Sequence, residues 1–376
     1  MQKIVIIGCG FAGLSAAQVL SRQRRQVEVI LIDKKLNFNF LPLLPDAIGR
    51  KIDTDFMLYS ISDLSKRYGF RFINQDVYSV DLKQNKVFTL MQELIYDYLL
   101  IASGSETNFY GDNNAMKNAY KLDDAEDVKK ICLGVEEGNF NCYLIIGGGY
   151  TGIEIATNLR ARLSGKSNDK KIVIIERAPS ILGPLPEWMK TYVGDNLKRM
   201  DIDVLLNTSI EKIEAGDFYL NNGLAFKNAM LIWSAGVKTG RFIEDLKVEK
   251  SPQGRIKVDE YLRLSEDCFV AGDAAYFAYK KSFLRMAIQF SIIEGNYAAK
   301  NIINSIEGKV LHKYTPIDLG YIIPMANNKS CGRVLGSKVK GFLATFFHYI
   351  MCIYRSYALR NKLGIIRSLI IRRGGR

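Results

Sequence analysis

This sequence of 376 residues has few histidines and no closely spaced pair of cysteines. It holds six cysteines and two histidines, and no two cysteines stand in a C-x-x-C or C-x4-C arrangement. That spacing excludes a zinc knuckle, a cysteine-ligated iron–sulfur cluster and a dithiol redox centre, so we expect no metal site. Dispersed free thiols are typical of a reducing compartment. We also expect no signal peptide, because the first residues already form a strand.

Acidic residues are absent from the last part of the chain. From Leu319 to Arg376 there are 11 Lys/Arg and no Asp or Glu, whereas the other residues hold 41 basic and 39 acidic side chains. The C-terminal segment therefore contributes +11 of the formal net charge of +13. The aromatic residues of that segment lie together and do not alternate with the basic ones, so we expect no nucleic-acid partner.

A glycine-rich loop follows the first predicted strand. Residues 3–7 (KIVII) predict a strand buried on both faces, and Gly8-Cys9-Gly10-Phe11-Ala12-Gly13 then fits G-x-G-x-x-G before a helical pattern. Gly8 permits the tight turn, Gly10 lets the backbone approach a pyrophosphate, and Gly13 lets helix and strand pack closely. The next predicted strand ends at Asp33, which would accept hydrogen bonds from an adenosine ribose. An ordinary glycine turn is the alternative.

The same pattern recurs 139 residues later. Strand 143–146 leads into Gly147-Gly148-Gly149-Tyr150-Thr151-Gly152, a helix follows, and strand 171–175 is closed by Glu176. A carboxylate there pairs with a free 2′-OH and repels a 2′-phosphate, which favours NAD(H) over NADP(H). Arg177 could weaken that preference, and Glu176 could be a plain strand-end acid. Two such units predict two nucleotide domains, with FAD in the first and a nicotinamide dinucleotide in the second.

Later strand signals predict how the domains are connected. Residues 268–270 should return the chain to the first sheet, so the second domain is an insertion in the first. The predicted fold class is α/β, with two Rossmann-type dinucleotide-binding domains and C-terminal amphipathic membrane-associating helices. The predicted boundaries are 1–112 with 255–320 for FAD, 113–254 for NAD(H), and 321–376 for the membrane-associating region.

Taken together, these motifs resemble the two-dinucleotide flavoprotein superfamily and, within it, the type II NADH:quinone oxidoreductases. The resemblance covers nearly the whole chain, and LIWSAGV and Pro-Leu-Leu-Pro are its more selective parts. The matching pieces are IVIIGCGFAGLSAA (4–17), VILID (29–33), PLLPDAIG (42–49), YDYLLIASGSETNF (96–109), IIGGGYTGIEIA (145–156), LIWSAGV (231–237) and FVAGDAA (269–275).

The resemblance implies roles for further residues. It implies that Gly272 and Asp273 contact the flavin's phosphate and ribityl chain, and that Ser103 and Gly104 line the flavin domain. Glu154 matches a family acid near the meeting point of nicotinamide and isoalloxazine, although it could simply be an acid stabilised in the first turns of a helix. The other cofactor-binding residues that we predict are Lys34, Pro42, Ala235 and Gly236.

The acceptor site departs from the family pattern. The family has a helix with A-Q-x-A-x-Q-Q-G, whereas this chain has IQFSIIEG at 288–295. Gln289 keeps the first glutamine, and Ile293-Glu294 replaces the later pair. By resemblance we assign Glu154, Gln289 and Glu294 as catalytic residues and a membrane quinone as the acceptor. Gln289 could equally be an ordinary hydrogen-bonding helix residue.

The C-terminal segment predicts a membrane-surface helix. Residues 341–354 (GFLATFFHYIMCIY) are uncharged and mostly apolar, but a bilayer span requires about twenty such residues. With basic residues on both sides, the helix would lie in an anionic interface on the cytoplasmic face of the cell membrane. Residues 365–370, with Arg367, Arg372 and Arg373, would form a second such helix. Packing on a partner subunit, as in a homodimer, is the alternative, and His348 is expected to be an interfacial residue.

Three other functions remain open. A sulfide:quinone oxidoreductase requires two cysteines beside the flavin, for which only Cys142 and Cys331 are candidates. A reductase of a ferredoxin or rubredoxin would meet an acidic soluble partner, which the basic apolar tail does not favour. A catalytically silent flavin-binding membrane protein would explain the altered acceptor motif. With neither a spanning helix nor a metal cluster predicted, we expect the enzyme not to pump protons.

Overall fold

The computed structural model of the protein describes residues 1–23, 27–50, 52–165, 170–214, 216–279 and 282–371. The chain divides into two compact units, and each consists of three segments. The first unit comprises Met1–Phe38, Tyr59–Glu106 and Val237–Asp318, and the second comprises Asn39–Leu58, Thr107–Gly236 and Leu319–Arg376.

Helices and parallel strands alternate in the two larger sheets, and most of the other strands are short. The helices are α1 (Phe11–Leu20), α2 (Leu44–Arg50), α3 (Ile61–Tyr68), α4 (Asn113–Asn118), α5 (Ala125–Glu137), α6 (Tyr150–Leu163), α7 (Glu187–Arg199), α8 (Arg241–Asp245), α9 (Ile288–Ile306), α10 (Gly341–Arg355) and α11 (Leu359–Ile371). The strands are β1 (Gln2–Ile7), β2 (Val27–Asp33), β3 (Asn37–Asn39), β4 (Leu58–Ser60), β5 (Arg71–Asn74), β6 (Val77–Asp81), β7 (Lys86–Thr89), β8 (Glu93–Ile95), β9 (Tyr98–Ile101), β10 (Glu106–Thr107), β11 (Cys142–Ile146), β12 (Lys171–Ile175), β13 (Asp203–Leu205), β14 (Ile210–Glu214), β15 (Asp217–Leu220), β16 (Ala225–Phe226), β17 (Ala229–Trp233), β18 (Val237–Lys238), β19 (Ile256–Lys257), β20 (Cys268–Val270), β21 (Ala275–Tyr276), β22 (Ala278–Tyr279), β23 (Ser282–Phe283), β24 (Gly320–Ile323), β25 (Cys331–Val334) and β26 (Ser337–Lys340).

The first unit is built on a five-stranded parallel sheet with the order β20-β9-β1-β2-β5. Its central strands are buried on both faces, which explains why they appear in the sequence as unbroken β-branched runs. Helix α9 packs along α1 so closely that a Cβ on Gly295 would overlap the carbonyl oxygen of Ala12. Because β20 pairs with β9, the prediction that residues 268–270 return to this sheet is confirmed.

The second unit repeats the arrangement with a four-stranded parallel sheet in the order β13-β12-β11-β17. Its core includes Leu144, Val173, Leu231 and Phe218, all nearly inaccessible to solvent. Helix α6 connects β11 to β12, so the second predicted β-α-β unit is present. The predicted α/β class with two Rossmann-type units is confirmed.

The edges of the two units differ from the predicted domain boundaries. Residues 237–254 belong to the first unit, because Phe242, Ile243 and Leu246 are buried in the same core as Val5. Residues 39–58 belong to the second unit, because α2 packs along α6. The sequence pattern marks where a strand or helix begins and ends, but it does not show which core a connecting segment joins.

The C-terminal residues form a small sheet and two helices within the second unit. Strands β24, β25 and β26 are antiparallel neighbours, and α10 and α11 follow them. Both predicted C-terminal helices are therefore present, although Arg372 and Arg373 lie outside the described residues. In the part of the chain that the structure describes, no helix is long and apolar enough to cross a membrane.

Candidate functional site: two phosphate-binding loops

The first glycine loop, Gly8–Gly13, has the geometry that its spacing predicts. Gly8 has a φ of +100°, and its N–H donates to the carbonyl of Ile32 at 2.8 Å. A Cβ on Gly13 would overlap the carbonyl oxygen of Gly8, so only glycine permits this helix to start so close to the strand. A Cβ on Gly10, in contrast, would meet no atom within 4 Å. The loop therefore leaves open space where a pyrophosphate would lie.

Asp33 holds the first glycine loop in place. Its Oδ2 accepts a hydrogen bond from the Cys9 N–H at 2.6 Å, and its Oδ1 accepts one from the Lys35 N–H at 2.8 Å. Burial raises the pKa of Asp33, and these two donors oppose that rise. A carboxylate has about four lone-pair sites, so sites remain for ribose hydroxyls. Lys34, next to it, is exposed.

The second glycine loop, Gly147–Gly152, has the same construction. Gly147 has a φ of +105° and donates to the carbonyl of Ile175 at 2.9 Å, and a Cβ on Gly152 would overlap the Gly147 carbonyl oxygen. Glu176 Oε2 accepts from the Gly148 N–H, and its Oε1 accepts from the Ala178 N–H, both at 2.7 Å. Gly149 has open space like Gly10. Because the two loops have the same geometry, we expect each of them to bind one dinucleotide.

The residues around the second loop form a packed support. The backbone of Ala235 lies 3.1 Å from where a Cβ on Gly147 would be, and Gly236 adopts a φ of +78°. Tyr150 packs edge-to-face on Tyr321, with ring centroids 6.0 Å apart. Thr151 is half-buried in the first turn of α6. The backbone of Ala235 therefore lies beside the second glycine loop.

The predicted flavin residues of the first unit lie at the carboxyl ends of its strands. Gly272, at the end of β20, has a φ of +73°, and a Cβ there would lie 3.0 Å from the Cβ of Ala12. Asp273 accepts a hydrogen bond from Ser105 Oγ at 2.8 Å, and burial raises the pKa of Asp273. Ser103 Oγ is buried and has no hydrogen-bond partner among the described residues. A buried hydroxyl without a partner is expected where a ligand supplies one.

The other predicted residues of this group are more dispersed. Gly104 follows Ser103 with a φ of +71° and open space around it. Pro42 lies in a short 3-10 turn, Leu41–Leu43, which belongs to the second unit.

Glu294 and Gln289 on α9 have partners within the first unit. The Glu294 carboxylate is buried and accepts a hydrogen bond from the Gly272 N–H at 2.7 Å, and burial raises its pKa to about 8. Gln289 Nε2 donates to Asp318 Oδ1 at 3.0 Å, and Asp318 also pairs with Arg285. Glu294 therefore supports the glycine turn after β20, which no sequence motif revealed.

Glu154 lies in the second turn of α6, and burial raises its pKa to about 8.

The expectation that His348 is an interfacial residue is wrong. Its Nε2 lies 3.1 Å from Asp46 Oδ2, and its side chain is only 11% exposed. The buried residues of α10 include Thr345, Tyr349 and Cys352, a helical spacing that puts His348 on the inward side. The helical spacing of these residues was the sequence signal for an inward-facing His348. The many aromatic residues of the segment obscured that signal.

The fold and the paired loops define the class of two-dinucleotide oxidoreductases. Residues 2–298 match the pyridine nucleotide-disulphide oxidoreductase family, and the chain belongs to that family. The assignment confirms the predicted oxidoreductase and its two cofactors, FAD and NAD(H).

Individual relatives agree with this assignment. The chain is 24% identical to a type II NADH:quinone oxidoreductase from Staphylococcus haemolyticus, over 93% of this chain and 94% of that protein. Among solved structures it is similar to NDH2 from Plasmodium falciparum in complex with NADH, with a TM-score of 0.88, 18% identity and coverage of 99% and 98%. It is also similar to the sulfide:quinone oxidoreductase of Aquifex aeolicus, with a TM-score of 0.79, 19% identity and coverage of 97% and 92%.

Replacing Gly10 or Gly149 by alanine should weaken the binding of one cofactor without affecting the other. Gly10→Ala should purify with little FAD, and Gly149→Ala should keep its FAD but bind NADH about tenfold more weakly, because each methyl group fills pyrophosphate space. Compared without bound FAD, each variant should unfold within about 1 kcal/mol of the wild type, the usual cost of changing a helix N-cap. Flavin absorbance, NADH titration and thermal unfolding measure these effects. Full FAD content in Gly10→Ala would refute the assignment of the first loop.

Glu176→Gln should change the choice between coenzymes. The amide keeps one acceptor for the loop but loses the charge that would repel a 2′-phosphate. We expect the NADH preference over NADPH to fall about tenfold, equivalent to roughly 1.4 kcal/mol. Flavin reduction by each coenzyme, measured by stopped flow, gives the ratio. An unchanged ratio would show that Glu176 does not face the ribose.

Proposed function

We propose that the protein is a type II NADH:quinone oxidoreductase, which transfers a hydride from NADH to FAD and then two electrons to a membrane quinone. The observation that carries the proposal is the repeated loop geometry, in which a glycine turn and a strand-end carboxylate occur once in each unit. When bound, FAD supplies the chemistry of accepting a hydride and releasing electrons in pairs. The residues of the chain bind and orient the two dinucleotides.

The roles proposed for individual residues follow from their contacts. Gly10 and Gly149 would admit the pyrophosphates, and Asp33 and Glu176 would accept from the two adenosine riboses. Glu294 would act through the Gly272 turn that it supports, as a positioning residue. Gln289 remains a proposed acceptor-site residue, and its hydrogen bond to Asp318 fixes its amide orientation.

The exposed side of α10 supports a membrane-bound acceptor. Phe342, Phe346, Ile350 and Tyr354 are all exposed and lie four residues apart, so they form one exposed stripe along the helix. On α11 the exposed Leu363 and Ile370 alternate with exposed arginines, Arg360 and Arg367. Apolar side chains flanked by cations favour an anionic membrane surface. We therefore propose peripheral binding to the cytoplasmic face of the cell membrane.

The cysteines do not favour sulfide chemistry. Cys142 and Cys331 are both buried, and burial raises the pKa of each to about 12. A thiol that attacks a sulfur species must ionise near neutral pH. Cys142 also begins β11, at the opposite end of that strand from the second glycine loop.

Side-by-side acceptor assays test the proposal. NADH should bleach the flavin within seconds, and a short-chain quinone should restore its colour, whereas ferredoxin should not. Sulfide should not reduce the flavin, because Cys142 and Cys331 are buried. Anaerobic absorbance spectroscopy follows each step. A flavin that NADH leaves oxidised would indicate a non-enzyme, and reoxidation by ferredoxin alone would indicate a soluble partner.

Replacing the exposed stripe tests membrane binding more sharply than deletion, because deletion of α10 would also remove its buried side. The triple variant Phe342→Gln, Phe346→Gln, Tyr354→Gln should bind anionic vesicles on the order of a hundredfold more weakly, since each side chain loses its apolar transfer. A matched control replaces three exposed residues elsewhere, Leu90, Met91 and Met116, by glutamine. Vesicle co-sedimentation measures both. Equal loss of binding in the two variants would argue against the stripe.

A further inference from the structure

Arg255 is a buried cation in the first unit, and it lies outside every motif of the sequence analysis. It directly precedes β19, and only 2% of its surface is exposed. Its backbone closes a turn, because its carbonyl accepts from the Ser251 N–H at 2.8 Å and its own N–H donates to Ser251 Oγ at 3.3 Å. An arginine keeps its charge inside a protein, and a buried charge requires specific partners.

The partners of the guanidinium are two backbone carbonyls. Its Nε donates to the carbonyl of Asp273 at 3.2 Å, and its Nη1 donates to the carbonyl of Leu284 at 3.1 Å. The guanidinium is a rigid planar fork, so two bonds to it also fix the two carbonyls relative to each other. Arg255 thereby ties the Gly272–Asp273 turn after β20 to the segment that follows β23.

The Gly272–Asp273 turn is held at three points. At its start, the Gly272 N–H donates to the Glu294 carboxyl group at 2.7 Å. In its middle, Ser105 Oγ donates to the Asp273 carboxylate at 2.8 Å. At its end, the Asp273 carbonyl accepts from Arg255, and a hydrogen bond from a charged donor is about twice as strong as a neutral one. The backbone on both sides of the Asp273 side chain is therefore fixed.

The charges of Arg255 and Asp273 support each other. Burial lowers the pKa of Arg255, and the charges of Asp273 and Glu294 oppose that change. Burial raises the pKa of Asp273, and the hydrogen bond from Ser105 and the charge of Arg255 oppose that rise. Arg255 therefore acts on Asp273 in two ways, by holding its carbonyl and by favouring the ionised form of its carboxyl group.

We propose that Arg255 is a positioning residue for FAD, which acts through Asp273 by fixing its carboxylate for contact with the cofactor. A side chain that is already held loses less conformational entropy when the cofactor binds. The inference rests on the FAD site of the proposed function, but not on the electron acceptor. If the protein binds FAD and reduces no quinone, the proposed function fails, whereas FAD affinity still decides the role of Arg255.

A double-mutant cycle on FAD affinity tests this role. FAD is removed from the protein and titrated back, and the change in flavin fluorescence reports binding. Arg255→Met should weaken FAD binding about tenfold, the order of one charged hydrogen bond. In an Asp273→Ala background, where no carboxylate is left to position, the same change should weaken it by less than about twofold.

Two outcomes of the cycle would overturn the proposal. An equal loss of affinity in both backgrounds would show that Arg255 acts on the unit as a whole and not through Asp273. Unchanged FAD affinity in Asp273→Ala alone would show that this carboxylate does not contact the cofactor.

Arg255→Lys separates the charge from the fork geometry. The ammonium keeps the cation but has no planar fork to bridge two carbonyls, so we expect an intermediate loss of FAD affinity, about threefold. That loss should also disappear in the Asp273→Ala background. If Arg255→Met does not fold, Arg255→Lys takes its place in the cycle, and a loss that persists in Asp273→Ala would refute the proposal.

Arg160 in the second unit provides a matched control. It is also a buried arginine, 8% exposed, and it donates to the backbone carbonyls of Lys170 and Asp201. Arg160→Met should lower the thermal stability of the FAD-free protein, as Arg255→Met does, but it should leave FAD affinity unchanged. A loss of FAD affinity as large as that of Arg255→Met would contradict a specific role for Arg255.

Discussion

Both nucleotide sites depend on a hydrogen bond from a backbone N–H to the carboxylate at the end of a strand. Cys9 donates to Asp33 in the first unit, and Gly148 donates to Glu176 in the second, in each case from the residue that follows the glycine at the turn. The carboxylate thus fixes the loop before any ligand arrives. A loop already held in place loses less conformational entropy when it binds a dinucleotide. The same acid that would select the ribose therefore also organises the phosphate site.

Glycine is required at these loops for two separate reasons. Gly13 and Gly152 are needed because the helix starts against the backbone of its own turn, which is a constraint of packing. Gly10 and Gly149 have free space around them, so the fold does not require glycine there. A side chain there would instead occupy the space that the predicted pyrophosphates need. The two reasons distinguish positions that serve the fold from positions that serve binding.

Helix α10 has two sides with different roles. Its exposed stripe is apolar, and its inward side holds a histidine, a tyrosine and a cysteine around Asp46. The exposed apolar stripe gains nothing from contact with water. The buried Asp46 carboxylate requires the polar partners that the inward side supplies. One turn of α10 therefore has an exposed apolar side and a buried polar side.

The sequence by itself determined the two β-α-β units, the two strand-end acids and the C-terminal helices. These features depend on local spacing: glycines at fixed offsets, β-branched runs and helical periodicity. Only the tertiary structure decided that residues 39–58 join the second unit, that Glu294 supports the Gly272 turn, and that His348 meets Asp46. Asp46 and His348 are 302 residues apart, and Gly272 and Glu294 are 22 apart. No local pattern encodes such pairs, because they form only when helices pack and bring distant side chains into the same buried space.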